Sequence, residues 1–449
     1  MVRPSSQVLN ISDNNYESGR ESGSEGESGD LSDSALDEDT ELWLRNIRAE
    51  IETNSSSVDE DTVMRYWGDL CVDPVGNQHG DRIEDRTTMG SDTLDMKITV
   101  EELLLRTVPL QHSSRPFLLF NLSDSLGRRF RYGELESIED LDRAVRLAEE
   151  GVALLKESPP AETPEQSIDS TAMGLLNLGT LLLARYEHMK AVADLEAAIS
   201  HTQEALSLLG DANTHCSTRL TALKNLPFML VLRCQWTMRS QDFEQAIELS
   251  KKGLEIAQGV HCQGDQLAIY YWLQSIAFET KYQQTGEIEA LSSAIGLARR
   301  AVGIVVNIPG KHASYLHYLG VMLDLRYAAT SNVEDLEEAI QHAEDGLRVD
   351  SLSGRSHHFL KLLAGLYETK YHVGGDPHDL NKCLTFRKQA VETANEEDVM
   401  GLIALPGLVI SFRSKYGGIG TLADLGESLR LLEESLEDRI DRRDRKSVV

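Results

Sequence analysis

The sequence predicts an all-α fold, an α-solenoid of about seven helix-turn-helix units behind an acidic N-terminal tail. A two-part residue signature recurs about every 47 residues. Apolar residues around it fall at helical spacing. Aromatic content is 6%, low for a sheet protein, while 41% hydrophobic residues in 449 suffice for a substantial core.

Residues 1–60 form a block of their own, an acidic Ser/Gly-rich tail expected to be disordered. About 15 acidic residues face about 4 basic ones there, over a third of the chain's net charge of −29. Too little apolar surface lies between Ser12 and Thr40 to offset the entropy of ordering. Leu42, Trp43, Leu44, Ile47 and Ile51 then suggest a short amphipathic helix over 41–53, a terminal cap or a linear docking segment. Ser22, Ser24, Ser34 and Ser57 each have an acidic residue three positions on, the pattern acidophilic kinases read; chance matches in a Ser/Glu-rich tail are the plainer explanation. Residues 61–115 read as an irregular linker or N-terminal cap, with a weak helix over Thr99 to Arg106.

The repeat array spans 116–437. Its first mark is an acidic-hydrophobic pair followed three residues later by a small residue and an apolar one. Examples are Asp140-Leu141 with Ala144-Val145, Asp194-Leu195 with Ala198-Ile199, and Asp335-Leu336 with Ala339-Ile340. The remaining copies fall at Asp242-Phe243, Ala290-Leu291, Asp379-Leu380 and Asp424-Leu425. Nine residues earlier stands a basic-aromatic pair: Arg185-Tyr186, Lys281-Tyr282, Arg326-Tyr327, Lys370-Tyr371 and Lys415-Tyr416. Arg129-Phe130 sits two residues further away, and Arg233-Cys234 has lost the aromatic, with Trp236 close by.

Each unit reads as a helical hairpin. Leu178, Leu182 and Tyr186 make one face of a first helix; Leu195, Ala198, Ile199, Ala205 and Leu206 make the stripe of a second. Alanines at 198, 246, 294 and 339 mark the closest helix approach. One hairpin cannot bury both faces, so stacking follows. The aromatic is expected to close the first helix against its partner, and the basic residue to complement that helix's negative carboxyl end. Pro227 should kink its helix, with a change of curvature or a binding notch there. Gly374-Gly375 and Gly417-Gly418 lack phosphate-loop spacing and read as turn glycines.

Leu178-Gly179 with Leu182 and then Ala198, and Leu319-Gly320 with Leu323 and then Ala339, resemble tetratricopeptide (TPR) repeats, although these units are about 13 residues longer than the 34-residue standard. That resemblance implies a right-handed solenoid. The text Leu-Gly-x5-Arg-Tyr followed by Asp-Leu-Glu-Glu-Ala-Ile is similar to long fungal TPR-like arrays that often precede a caspase-like domain of the CHAT type. HEAT or armadillo-like packing is the alternative architecture, with a comparable repeat length. After Glu437 only a charged tail, 438–449, remains, too short for a catalytic domain, so the expectation is an array without the CHAT domain.

No catalytic, cofactor or metal residues emerge. His215-Cys216 and His261-Cys262 occupy equivalent loops of adjacent units, but adjacent side chains diverge and suit zinc poorly. His312 and His357 share that phase without a cysteine, so a turn or capping role is simpler. The five cysteines form no Cys-x-x-Cys, no stretch is read as approaching a membrane span, and the N-terminus lacks a signal-peptide core, so a cytoplasmic protein is expected. The charge disfavours nucleic acid and anionic membrane, and favours a basic or amphipathic protein segment. The expected function is a non-catalytic scaffold binding a peptide or helix in a concave groove. The alternative is a regulatory or sensor arm of a CHAT-type peptidase effector, truncated or acting with a separate catalytic chain.

Overall fold

A computed structural model describes residues 91–392, apart from the connections 133–136, 158–163, 211–214, 261, 263 and 350–355, together with the isolated residues 45, 48 and 49. Of the expected 41–53 helix only Arg45, Arg48 and Ala49 are described, and all three are helical; residues 1–40, the seventh repeat, Gly417-Gly418, His261 and the 438–449 segment lie outside the described residues. The chain divides into two compact units, Met1–Cys262 and Gln263–Val449. The described part of the first holds α1 (Ser91–Thr107), α2 (Arg115–Tyr132), α3 (Ile138–Glu157), α4 (Pro164–Met189), α5 (Val192–Leu209), α6 (Cys216–Thr237) and α7 (Ser240–Gly259). That of the second holds α8 (Asp265–Thr285), α9 (Ile288–Ile304), α10 (Pro309–Thr330), α11 (Val333–Val349), α12 (Ser356–Gly374) and α13 (Pro377–Glu392). Among the described residues there is no strand, and the fold is an all-α helical-repeat array.

In the first unit α2/α3, α4/α5 and α6/α7 pack as hairpins, with α3 on α4 and α5 on α6; in the second α8/α9, α10/α11 and α12/α13 do the same. The anchors Leu141, Leu195, Phe243, Leu291, Leu336 and Leu380 are all buried. So are the small residues three places on, Ala144, Ala198, Ala246, Ala294, Ala339 and Cys383. Across from these alanines the first helix also carries something small. A Cβ at Gly179 would sit 2.8 Å from Thr202 Oγ1 and 3.3 Å from the Ala198 carbonyl oxygen. Ser275 at the same phase donates its hydroxyl to the Ala294 carbonyl at 2.8 Å. Gly179→Ala should therefore destabilise the first unit by about 1 kcal/mol, overpacking outweighing the gain in helix propensity; chemical denaturation beside wild type checks it.

Of the two readings of 61–115, an irregular linker or an N-terminal cap, α1 fits the second. It begins eight residues before the expected weak helix, at Ser91, and packs on α2 with Val100 and Leu104 fully buried. Leu94 lies 47 residues before Leu141, one repeat period, so α1 stands where the second helix of a further hairpin would. The signal was missed because Lys97 and Glu101 occupy positions that are small or apolar in α3.

The stretch Gln166–Met189 of α4 is long and apolar enough to cross a membrane, which corrects the expectation that no stretch approaches a span. Its leucines, including Leu175, Leu178, Leu181 and Leu182, are buried against neighbouring helices of the first unit. Pro227 lies inside α6, which continues through it from Cys216 to Thr237. Residues 226–232 are buried throughout, so this position is packed core and not a notch.

Candidate interaction surface

The two sequence marks meet at the hairpin turn. Arg129, Arg185, Arg233 and Arg326 each grip the carboxylate of their own hairpin's anchor Asp through Nε and Nη2. The Nη2–Oδ1 distances are 2.7, 2.7, 2.6 and 2.6 Å, to Asp140, Asp194, Asp242 and Asp335. This corrects the expected role of the basic residue: it neutralises an aspartate in the first turn of the second helix, where the helix dipole also favours that negative charge. These bidentate hydrogen bonds raise the pKa of all four guanidinium groups. In the first unit the remaining Nη1 reaches the preceding hairpin: Arg185 to Asp142 at 3.0 Å and Arg233 to Glu196 at 2.9 Å. Arg129 reaches Asp95 of α1 in the same manner, at 2.8 Å. The fourth hairpin has Ala290 for Asp and Lys281 for Arg, and Lys281 pairs with Glu287 at 2.7 Å. Lys370 approaches Asp379 only to 3.9 Å.

The turns share one backbone device. The residue five past the basic mark is left-handed in five hairpins: Lys190, Met238, Gly286, Ser331 and Gly375, with φ between 55° and 72°. Each donates its N–H to the carbonyl of residue 186, 234, 282, 327 or 371. Gly375 is thus a turn glycine. Three positions bear the strain that glycine avoids. Met238→Gly should stabilise the first unit by about 1 kcal/mol, because Met238 is 67% exposed and loses little contact; thermal and chemical denaturation would show it.

The aromatic of the basic-aromatic pair is buried in the first unit, at Phe130 and Tyr186, but only partly at Tyr282, Tyr327 and Tyr371. Its cover comes from the next hairpin's turn. His188 meets the Phe130 ring edge-on at 5.4 Å, and Trp236 lies near enough to the Tyr186 hydroxyl to oppose the rise that burial gives that phenol. The equivalent positions past Tyr327 and Tyr371 are Ala329 and Val373, too small to cover a ring. Trp236 is itself 61% exposed, beside Met238.

The histidines and cysteines singled out in the sequence are spread over both units, with Cys216 and Cys262 within electrostatic reach of one another in the first. His215 precedes α6 and sets Nδ1 3.2 Å from Asp169 of α4. Cys216 and Cys262 are half-buried, and burial pushes the Cys262 thiol up. His312 lies in the first turn of α10, lowered by burial. The His357 and His358 rings meet at a tilt of 38° with centroids 3.9 Å apart, and His358 lies 5.7 Å from His317, whose pKa burial lowers to about 4 with help from His357 and Lys361. Among the described residues no group of three or more His, Cys, Asp or Glu could hold a metal ion.

Two features were not read from the sequence. In the second unit Glu279 is buried; Oε2 accepts the Tyr318 hydroxyl at 2.9 Å and Oε1 the Gln283 amide at 2.7 Å. Burial raises it to about 7 despite both bonds. In the first unit a cavity of about 520 Å³ opens beside the α1–α2 connection, lined by Arg106, Arg115 and Arg143, by Glu102, and by apolar residues including Val108 and Leu110. Arg143 pairs with Glu102 at 2.6 Å, and Arg115 donates Nη1 to the carbonyls of Leu105 and Val108.

No protein-family model and no curated protein matches the chain. Solved structures similar to it include BtubC (BKLC) from P. vanneervenii, at 16% identity and TM-score 0.41, covering 59% of this chain and 91% of that one. A putative kinesin light chain from Podosopora anserina with nearly identical TPR-like repeats gives 13%, 0.33, 56% and 96% in the same order. Aspartyl phosphate phosphatase F from Bacillus subtilis gives 14%, 0.40, 84% and 97%. At such identities and scores the likeness says nothing of ligand or activity.

Proposed function

We propose that this chain is a non-catalytic protein-interaction scaffold whose stacked TPR-like hairpins hold a peptide or helix along a groove. The observation that supports it most is the use of the repeat signature. Its arginines and aspartates are consumed in turn-bracing pairs within and between hairpins, so the signature builds a frame and leaves variation to exposed positions. Exposed Met173, Met189, Trp236 and Met238 are of the residue types that anchor protein partners. With a net charge of −29, a basic or amphipathic partner segment fits best, in the cytoplasm, with neither nucleic acid nor a membrane surface as ligand. Affinity purification with the full chain as bait should recover a discrete partner whose retention weakens with salt. Recovery of chaperones alone across several conditions overturns the reading, as does a hydrolase activity abolished by one point mutation.

A further inference from the structure

We propose that the arginine-walled cavity of the first unit is a docking site for the chain's own acidic-apolar segment, residues 37–44. The cavity is anomalous in a chain with a net charge of −29: three arginines converge on it. Their partners only partly neutralise them. Glu102 is shared between Arg143 at 2.6 Å and Arg106 at 3.7 Å, and Glu150 lies 3.5 Å from Arg115. Arg106 is 77% exposed and Arg143 41%, so both can turn to an incoming carboxylate. Apart from Thr107 the rest of the wall is apolar, and Leu110 in it stands at 72% exposure.

The occupant that matches is Asp37-Glu38-Asp39-Thr40-Glu41-Leu42-Trp43-Leu44: four carboxylates for the arginines, then three large apolar side chains for Val108, Leu110 and their neighbours. Arg–carboxylate pairs at a partly desolvated rim are the stronger class of charged hydrogen bond. The tether suits the distance. From Leu44 to Ser91 is 47 residues, more than enough chain to bridge the distance of about 25 Å that α1 covers from Ser91 to the cavity. A tether longer than the distance it must bridge makes the encounter intramolecular and raises the segment's effective concentration at the cavity. The inference is independent of what the array binds and gives the acidic tail a place on the molecule.

The test is hydrogen–deuterium exchange on the full-length chain, read at residues 37–44. Wild type should protect this segment at least several-fold over a synthetic peptide of the same sequence, with protection falling as salt rises. Glu102→Gln, which releases Arg143 and Arg106, should increase protection. Arg106→Glu/Arg143→Glu should abolish it, and replacing Asp37, Glu38, Asp39 and Glu41 with lysine in that background should restore it. Unchanged exchange of α2 and α3 in the double variant shows that the unit stays folded; if it changes, Glu102→Gln and the salt series decide. Absence of protection in wild type overturns the proposal. So does protection that rises with protein concentration, which assigns the cavity to the tail of a second copy.

Discussion

Replacing Asp242 with alanine is expected to cost the first unit about 3–5 kcal/mol, because the change strands a guanidinium that folding has half withdrawn from water. Asp242 is 3% exposed and Arg233 14%. Two bonds join them, Nε–Oδ2 at 3.0 Å and Nη2–Oδ1 at 2.6 Å. Without Asp242 the guanidinium keeps only Glu196, which is 43% exposed and screened by solvent. The same change at Asp379 should cost far less, about 1 kcal/mol, since Lys370 approaches it only to 3.9 Å and is 40% exposed. Removing both Arg233 and Asp242 in favour of leucine and methionine should recover most of the loss, which separates the cost of the orphaned charge from the worth of the pair. Repeat arrays lose two-state behaviour, so hydrogen exchange of α6 and α7 should accompany denaturation. A loss at Asp242 no larger than at Asp379 would refute the bracing role.

That brace was half legible in the sequence. In every copy but the first the two marks stand nine residues apart, and the copy lacking the aspartate, at Ala290, also has lysine in place of arginine. Reading the arginine against the nearest helix end hid the partner, because a fixed sequence interval across a turn was not converted into a contact. The anchors, the alanines and the hairpin order were plain, since period and burial depend on local spacing. Glu279 with Tyr318 was not, because 39 residues separate them and the partners lie on different hairpins. The available sign was a carboxylate placed directly after the mostly apolar run from Ala268 to Phe278, within the same helix. The cavity was missed for another reason: α1 departs from the repeat pattern at Lys97 and Glu101, which hid its helix and the arginines that α1 helps gather.

Glu279 makes the second unit sensitive to pH near neutrality. Its pKa rises from 4.5 to about 7 on folding, chiefly through desolvation. The folded state therefore holds the proton more tightly than the unfolded chain does. The sign follows: stability is greatest below the unfolded value of 4.5, falls as pH rises, and levels off above about 7. The whole change is worth about 3 kcal/mol. About 1.5 kcal/mol of it falls between pH 6 and 8.5, a window clear of the isoelectric point near 4.8. Glu279→Gln keeps an acceptor for the Tyr318 hydroxyl and has no charge to bury, so the variant should be the more stable protein at pH 8.5, with little slope of its own. Tyr318→Phe should act oppositely. It removes a bond that favours the charged form, pushes Glu279 higher, and steepens the decline with pH. Trp272, packed 6.3 Å from Tyr318, reports on this core by fluorescence. Hydrogen exchange of α8 and α10, corrected for its intrinsic pH dependence, supplies the free energies. Parallel pH profiles for wild type and Glu279→Gln would show that the carboxylate takes no part, and a shallower profile for Tyr318→Phe would show that the hydroxyl does not stabilise its charge.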